Sequence, residues 1–244
     1  MKNSSNFLKE VYDKNYFNRY RKRPFLQQLF IKYIDRKEPV FSFLKKQKRS
    51  KSSLLDIGCG NGLFLQHAQH YFNCTGIDIS QNGLNEAKRR APKAHFQIKS
   101  IYDLDSLPAK KYDVITCFDV LEHVLVKPTT LDSIYRILKP DGIFVFSAPN
   151  PSSFGLQLKW DKWFGFSDPT HISFYSPLEW GLMVKKAGFI PMKTFYNGLM
   201  DPPYFPHIPN SVQNILIKYP SQILSLLGFP LPSCLGELFF YGMH

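Results

Sequence analysis

An α/β fold built on a mostly parallel sheet, with helices on both faces, is what this 244-residue chain predicts. Three observations carry that expectation. From Lys51 onward, short apolar runs of strand length alternate with segments of helix length, a pattern that calls for crossover connections and a sheet covered on both sides. One run passes into LLDIGCGNG, Leu54 to Gly62, where three glycines alternate with Cys59 and Asn61 before a helix-like stretch. Later, KPDG supplies a turn between a helix-like segment and the apolar run IFVFSAP.

Taken in order, the first strand is expected over residues 53–57 and a helix from 63 to about 71. The second strand covers 74–79, and Ser80 can cap the helix that runs to Arg90. A third strand is expected over 95–99 and a fourth over 112–117. After it, FDVLEHV opens a helix reaching Leu138. The fifth strand is IFVFSAP, followed by a long loop from Asn150 that carries Trp160, Trp163, Phe164 and Phe166. A helix over 176–187, a sixth strand within GFIPMKTFYNG and a seventh within GELFFYGM complete the series. The aromatic loop would line a substrate cavity and exclude water, or its rings would simply pack beneath it.

Four segments follow from this reading: a basic helical extension over 1–50, the core over 51–199, an insertion over 200–235 and the final strand over 236–244. The net charge of +12 is concentrated at the start, where residues 1–51 hold 15 Lys and Arg against 4 Asp and Glu, a balance of +11. Residues 5–48 read as helical, with Pro24 opening a second helix. The basic clusters there suit an anionic surface, or form a solvated helical face and a linker. The insertion holds an apolar helix-like part, Val212 to Leu227, broken by Pro220 and too interrupted to span a bilayer. Substrate lid, membrane-surface contact and dimer contact are its three competing uses. Cys59, Cys74, Cys117 and Cys234 show no paired metal spacing, and MKNSSNFLKEVYDKNYF lacks the apolar core of a secretory signal, so a reducing, cytoplasmic setting is expected.

The glycine stretch also selects a ligand. Gly58, Gly60 and Gly62 allow sharp turning and let a flat polar molecule lie against bare main chain. A dinucleotide fingerprint would place its third glycine at position 63, which is Leu63. Asp56, two residues before the first glycine, puts a carboxylate where a pyrophosphate would want donors, and so favours a cationic ligand. Asp78, with Ile79 beside it, closes the second strand where such units bond a ribose diol. Two acids at consecutive strand ends fit S-adenosylmethionine, which carries an ammonium and a sulfonium.

LLDIGCGNG, GIDIS, KYDVITCFDVLEHV and ILKPDGIFVFSAPNP, in that order, resemble the class I S-adenosylmethionine-dependent methyltransferases over most of residues 50–190. Within that family the chain looks most similar to small-molecule O-methyltransferases related to those of ubiquinone biosynthesis. The resemblance implies a Rossmann-like sheet of seven strands with an antiparallel edge, and an N-terminal helix, including Tyr16 and Phe17, over the cofactor. It places Ser100 and Ile101 beside the adenine, although many relatives carry an acid at the first position, and Cys117 and Phe118 beside the methionine moiety. Related quinone-pathway enzymes have an acid, x, x, Glu, His pattern that can hold a divalent cation such as Mg²⁺; here its residues are Asp119, Glu122 and His123. Capping and internal hydrogen bonds are the plainer use of that pattern.

A sulfonium methyl is already electrophilic, so the chain has mainly to align an acceptor and, for a hydroxyl, remove its proton. His123 and His171 are the candidate bases. A small-molecule acceptor, O-methylation and, from the insertion and basic start, a lipid-linked substrate or peripheral membrane contact are the partners this reading allows. A nucleic-acid methyltransferase competes, but the strand-four motif lacks an NPPY-type clamp and no RNA-binding module is visible. A cofactor-binding regulator without transfer activity is the third reading.

Overall fold

The computed structural model describes residues 38–244 apart from 200–201, 206, 228, 230–231 and 237. The helices expected before residue 38, with Pro24, Tyr16 and Phe17, lie outside the described residues. Seven strands form one sheet: β1 Ser53–Ile57, β2 Asn73–Asp78, β3 His95–Ile98, β4 Tyr112–Phe118, β5 Leu138–Pro149, β6 Pro191–Tyr196 and β7 Leu238–Met243. Their order is β3-β2-β1-β4-β5-β7-β6. The first five pair in parallel, and β7 runs antiparallel to both β5 and β6. This is the seven-stranded, mostly parallel Rossmann-like sheet expected.

Helices α1 Glu38–Gln47, α2 Leu63–Ala68, α3 Gln81–Arg90, α4 Pro128–Ile137, α5 Phe154–Lys159, α6 Phe164–Ser167, α7 Pro177–Lys186, α8 Asn210–Gln213 and α9 Tyr219–Leu226 surround it. Both faces of the central strands are buried, as their sequences require. Leu54, Val114 and Val145 join Val40, Leu44, Phe64, Leu65 and Leu84 in one core cluster; Leu55, Ile115, Phe144 and Phe146 join Leu131, Ile134, Trp180 and Val184 in the other. Successive residues of a strand thus feed opposite cores, each closed by helices.

Several boundaries differ from the sequence reading for local reasons. The helix expected to begin at Asp119 is instead a 3₁₀ turn, Leu121–His123, followed by extended Val124; the α-helix starts only at Pro128. Lys127 precedes that proline and is held extended, which keeps the helix from starting earlier. KPDG does not end one element before the next begins: β5 starts at Leu138, and the register slips between Tyr112↔Leu138 and Val114↔Ile143 to absorb the extra residues. Pro220 does not break the insertion. The helix is wound as a π segment, Asn214–Lys218, just before it, and Pro220 sits in the first turn of α9, where a missing N–H costs little. Ser80 does cap its helix, accepting from Gly83 N, and Ser176 likewise accepts from Glu179 N.

The order of strands reverses between β1 and β4, so their carboxyl ends open a crevice. Gly58 and Phe118 both follow or end these two strands.

Candidate active site

The glycine loop is shaped by backbone geometry that side chains would not tolerate. Gly58, Gly60 and Gly62 have φ of 70°, 53° and 77°. A Cβ at Gly58 would stand 2.3 Å from Val120 Cγ2, and one at Gly62 would stand 2.8 Å from the Ala87 backbone. The Gly58 and Cys59 amides donate to Ile77 O at 2.8 and 3.0 Å, which pins the loop to β2. Both acids are buried beside it. Asp78 Oδ2 accepts from Gly60 N and Oδ1 from Ser80 N, each at 2.8 Å. Burial pushes the Asp78 carboxyl up, against the lowering effect of the Ser80, Gly60 and Ile79 amides. Asp56 Oδ1 accepts from Thr116 Oγ1 at 2.7 Å. Thr116 escaped the sequence reading; its signal was a polar residue inside the apolar run of β4, directly in register with Asp56.

Around this loop the expected cofactor residues take different roles. Cys59 and Cys117 are buried, and burial raises both thiols well above their usual range, with Asp56 among the further causes for each. Cys117 is fully enclosed among core residues. Phe118 packs edge-to-face on Phe64 with centroids 5.0 Å apart, and Ile79 is half-buried. Ser100 caps a 3₁₀ helix, Ile101–Ser106, accepting from Tyr102 N, while Asp103 Oδ2 accepts from Ser100 N. Ile101 is buried next to it. The backbone loop, the acid at the end of β2 and the apolar wall at Ile101 fit a nucleoside: bare main chain for close approach, and a carboxylate for a diol.

At the carboxyl end of β4 the two candidate bases come together. The rings of His123 and His171 lie with centroids 4.5 Å apart, tilted by 51°. Distant segments are stitched to make this meeting: Ile172 N and Ser173 N donate to Glu122 O, and Ser173 Oγ donates to Val124 O. His171 Nδ1 bonds Gly165 O at 2.5 Å, and His123 Nδ1 lies 2.8 Å from Thr170 Oγ1. Desolvation, then the neighbouring His171, lowers the His123 pKa to about 4, against the raising effects of Asp168, Asp119 and a hydrogen bond to the Thr170 backbone. Above that pH the ring is neutral and holds a lone pair.

Asp119 is not part of this cluster as expected. Its backbone is left-handed, φ 56°, and its Oδ1 accepts from Ser147 Oγ at 2.6 Å. Because no α-helix runs through 119–123, the one-turn spacing that would have aligned Asp119 with His123 does not exist. Among the described residues, the metal-capable group is Glu122, His123 and His171, with one potential ligand atom from each within 4.8 Å of the others. One carboxylate and two imidazoles suit a borderline cation, whereas Mg²⁺ takes oxygen donors. The residues do not fit Mg²⁺, and no step below runs through it.

Rings roof this pair. Trp163 is fully buried and meets Phe166 and Phe174 with centroids 5.3 and 6.1 Å apart; Phe174 also faces His171 at 5.8 Å. A Cβ at Gly165 would strike the Trp163 ring at 2.0 Å, so glycine lets the indole pack on the same peptide whose carbonyl holds His171. Trp160, by contrast, is exposed.

Residues 21–192 match a methyltransferase domain family. The chain belongs to it. The match covers more than half of the chain and identifies an S-adenosylmethionine-dependent methyltransferase, the cofactor that the loop and acids suit. Over 106 residues the chain is 36% identical to a ubiquinone biosynthesis O-methyltransferase from Haemophilus ducreyi and 34% identical to one from Actinobacillus pleuropneumoniae; each alignment takes in 40% of this chain and 45% of the relative. The chain thus matches less than half the length of these curated relatives. Among solved structures, a magnesium protoporphyrin IX methyltransferase from Synechocystis with bound cofactor shares the fold at TM-score 0.63 and 16% identity, covering 100% of this chain and 97% of the other. A methyltransferase from Archaeoglobus fulgidus does so at TM-score 0.59 and 20% identity, over 89% and 98%. In the methyltransferase described here, no helix among the described residues is long and apolar enough to cross a membrane.

Proposed function

We propose that this methyltransferase transfers the methyl group to a hydroxyl of a small molecule, with His123 as the base and His171 beside it. The carrying observation is the pairing of these two rings at the end of β4, next to the crevice at the strand reversal. S-adenosylmethionine supplies an electrophilic methyl when bound. Asp56, Gly58, Gly60, Gly62 and Asp78 would hold it, with Ile101 and Phe118 as apolar walls and Cys59, Ile79, Ser100 and Cys117 close by. O-methylation is supported by the names of the curated relatives.

A neutral imidazole with a pKa near 4 is a weak base in the resting site. The reaction itself changes that. The acceptor loses its proton to His123 while the sulfonium becomes a neutral thioether, so one positive charge disappears as another forms and the net charge of the site is conserved. Orienting the hydroxyl in line with sulfur and carbon supplies the remainder.

The insertion favours an acceptor with an apolar tail or one delivered from a lipid surface. Two of its polar side chains are used internally: Gln213 bonds Tyr204 N, Phe205 N, Phe205 O and Ile208 O, and Ser225 Oγ donates to Tyr196 O. Ile215, Leu216, Leu227 and Phe229 are exposed. From Pro202 to Gly236 the single Lys, Arg, Asp or Glu is Lys218.

Transfer of labelled methyl from S-adenosylmethionine to a panel of phenols including 3,4-dihydroxybenzoate tests the reading. Label should appear on oxygen, and His123→Gln should lower kcat on the order of 100-fold while cofactor affinity stays within about twofold. Label on nitrogen or carbon, or equal turnover in the variant, would refute it.

A further inference from the structure

Resting on the assignment of His123 as the base, we propose that Thr170, anchored by Asp168, is the positioning residue that keeps the proton of neutral His123 on Nδ1 and presents Nε2 to the acceptor. The argument is a count of hydrogens. Asp168 Oδ1 accepts from Thr170 N at 2.9 Å and from Thr170 Oγ1 at 2.5 Å. A hydroxyl has one hydrogen, and here it points at Asp168. Toward His123 Nδ1, 2.8 Å away, Thr170 Oγ1 can therefore offer only a lone pair. Two lone pairs do not bond, so Nδ1 carries the hydrogen and, in the neutral ring, Nε2 does not.

Asp168 is suited to anchor this chain because it stays ionised. Its carboxyl is held below the usual range by the Thr170 bonds and by the two histidines, against partial burial. An ionised carboxylate only accepts, which fixes the direction of the Thr170 hydroxyl. The same logic sets the neighbour: His171 Nδ1 faces the Gly165 carbonyl, an acceptor, so that ring also carries its hydrogen on Nδ1. Both imidazoles are oriented in one sense by groups that the 163–171 segment supplies, Thr170 for His123 and Gly165 for His171.

The chemical step then balances. The acceptor O–H bond breaks and its proton goes to His123 Nε2; the O–CH₃ bond forms as the S–CH₃ bond breaks, leaving its electron pair on sulfur. The new imidazolium keeps its Nδ1–H to Thr170 Oγ1, and through it the carboxylate of Asp168, which lowers the cost of the charge. A group that orients the base in this way is what a proton-abstracting site requires beyond the base itself. The motif is Asp-Pro-Thr-His, so the acid, the hydroxyl and the second imidazole arrive on one tight turn.

Long-range ¹H–¹⁵N spectra of the full chain labelled with ¹⁵N-histidine test this directly, the His123 signals being those that vanish in His123→Gln. The expected spectrum at pH 7 shows a protonated Nδ1 and an unprotonated Nε2; Thr170→Val should move the proton to Nε2 or mix the two forms, and Thr170→Ser should restore the original pattern. With 3,4-dihydroxybenzoate and labelled cofactor, Thr170→Val should lower kcat by about 10- to 100-fold with KM for S-adenosylmethionine within about twofold, and Thr170→Ser should recover it. A protonated Nε2 in the unaltered protein overturns the proposal and leaves the base assignment standing. Equal turnover in His123→Gln overturns the base assignment, whereas the spectrum still reads the role of Thr170 in setting the tautomer. If Thr170→Val does not fold, the unaltered protein and Thr170→Ser decide, since a tautomer unlike that expected in the first is contradiction enough.

Discussion

The cofactor end and the acceptor end of this site are built by opposite means. At the first, bare backbone and two buried acids follow directly from strand ends, and the glycine loop with both acids falls within residues 56–78. At the second, a 3₁₀ turn and a loop nearly fifty residues away are sewn together by main-chain bonds to Glu122 O, and the proposed base, His123, meets His171 through that stitching. The difference teaches that the first end is intolerant of added atoms, whereas the second is sensitive to hydrogen-bond direction.

Substitutions can break that contrast. The largest effect is expected from Gly58→Val: a positive φ and a Cβ 2.3 Å from Val120 Cγ2 should abolish measurable S-adenosylmethionine binding by calorimetry and lower stability by about 1–3 kcal/mol in urea unfolding. Retained affinity would mean that the loop is not the cradle. Next comes Asp78→Asn, which removes the charge that a diol would bond; cofactor affinity should fall about 10- to 100-fold, corresponding to roughly 1.5–3 kcal/mol.

His123 offers a pH signature at the other end. Its folded pKa, about 4, lies below the unfolded value near 6.5, so the unfolded chain binds more protons in between and stability rises with pH across that window. The contribution is complete above pH 6.5, is lost as pH falls to about 4, and amounts to about 3 kcal/mol. His123→Gln should flatten this limb of the unfolding curve; an unchanged limb would show the ring to be less buried than described. The smallest effect is expected for Ile215→Ser and Leu216→Ser, exposed residues whose replacement should change stability by less than about 0.5 kcal/mol while reducing co-sedimentation with phosphatidylglycerol vesicles. Equal sedimentation would remove the lipid-side reading.

How much of this was legible in the sequence follows the same division. The alternating strands and helices, the cap at Ser80 and the positions of Asp56 and Asp78 could be read because each depends on local spacing and on apolar periodicity, whereas the antiparallel edge followed from the family resemblance. The strand-four motif misled because the helix expected there would have placed Asp119 over His123, and the left-handed Asp119 followed by a 3₁₀ turn sends its carboxylate to Ser147 instead. Thr170 and Asp168 went unremarked between two more conspicuous histidine-bearing stretches. Their turn was visible as Asp-Pro-Thr, but its partner, His123, is set by tertiary pairing that no local pattern records. Pro220 looked like a break because a proline's lost donor was counted without the π segment that accommodates it.

The division between the two ends is tested most directly by titrating S-adenosylhomocysteine into the unaltered protein, Asp78→Asn and His123→Gln under one buffer condition. One site per chain, weakened at least tenfold in Asp78→Asn and unchanged within about twofold in His123→Gln, is the predicted result. Equal weakening in both variants, or no binding to the unaltered protein, would contradict it.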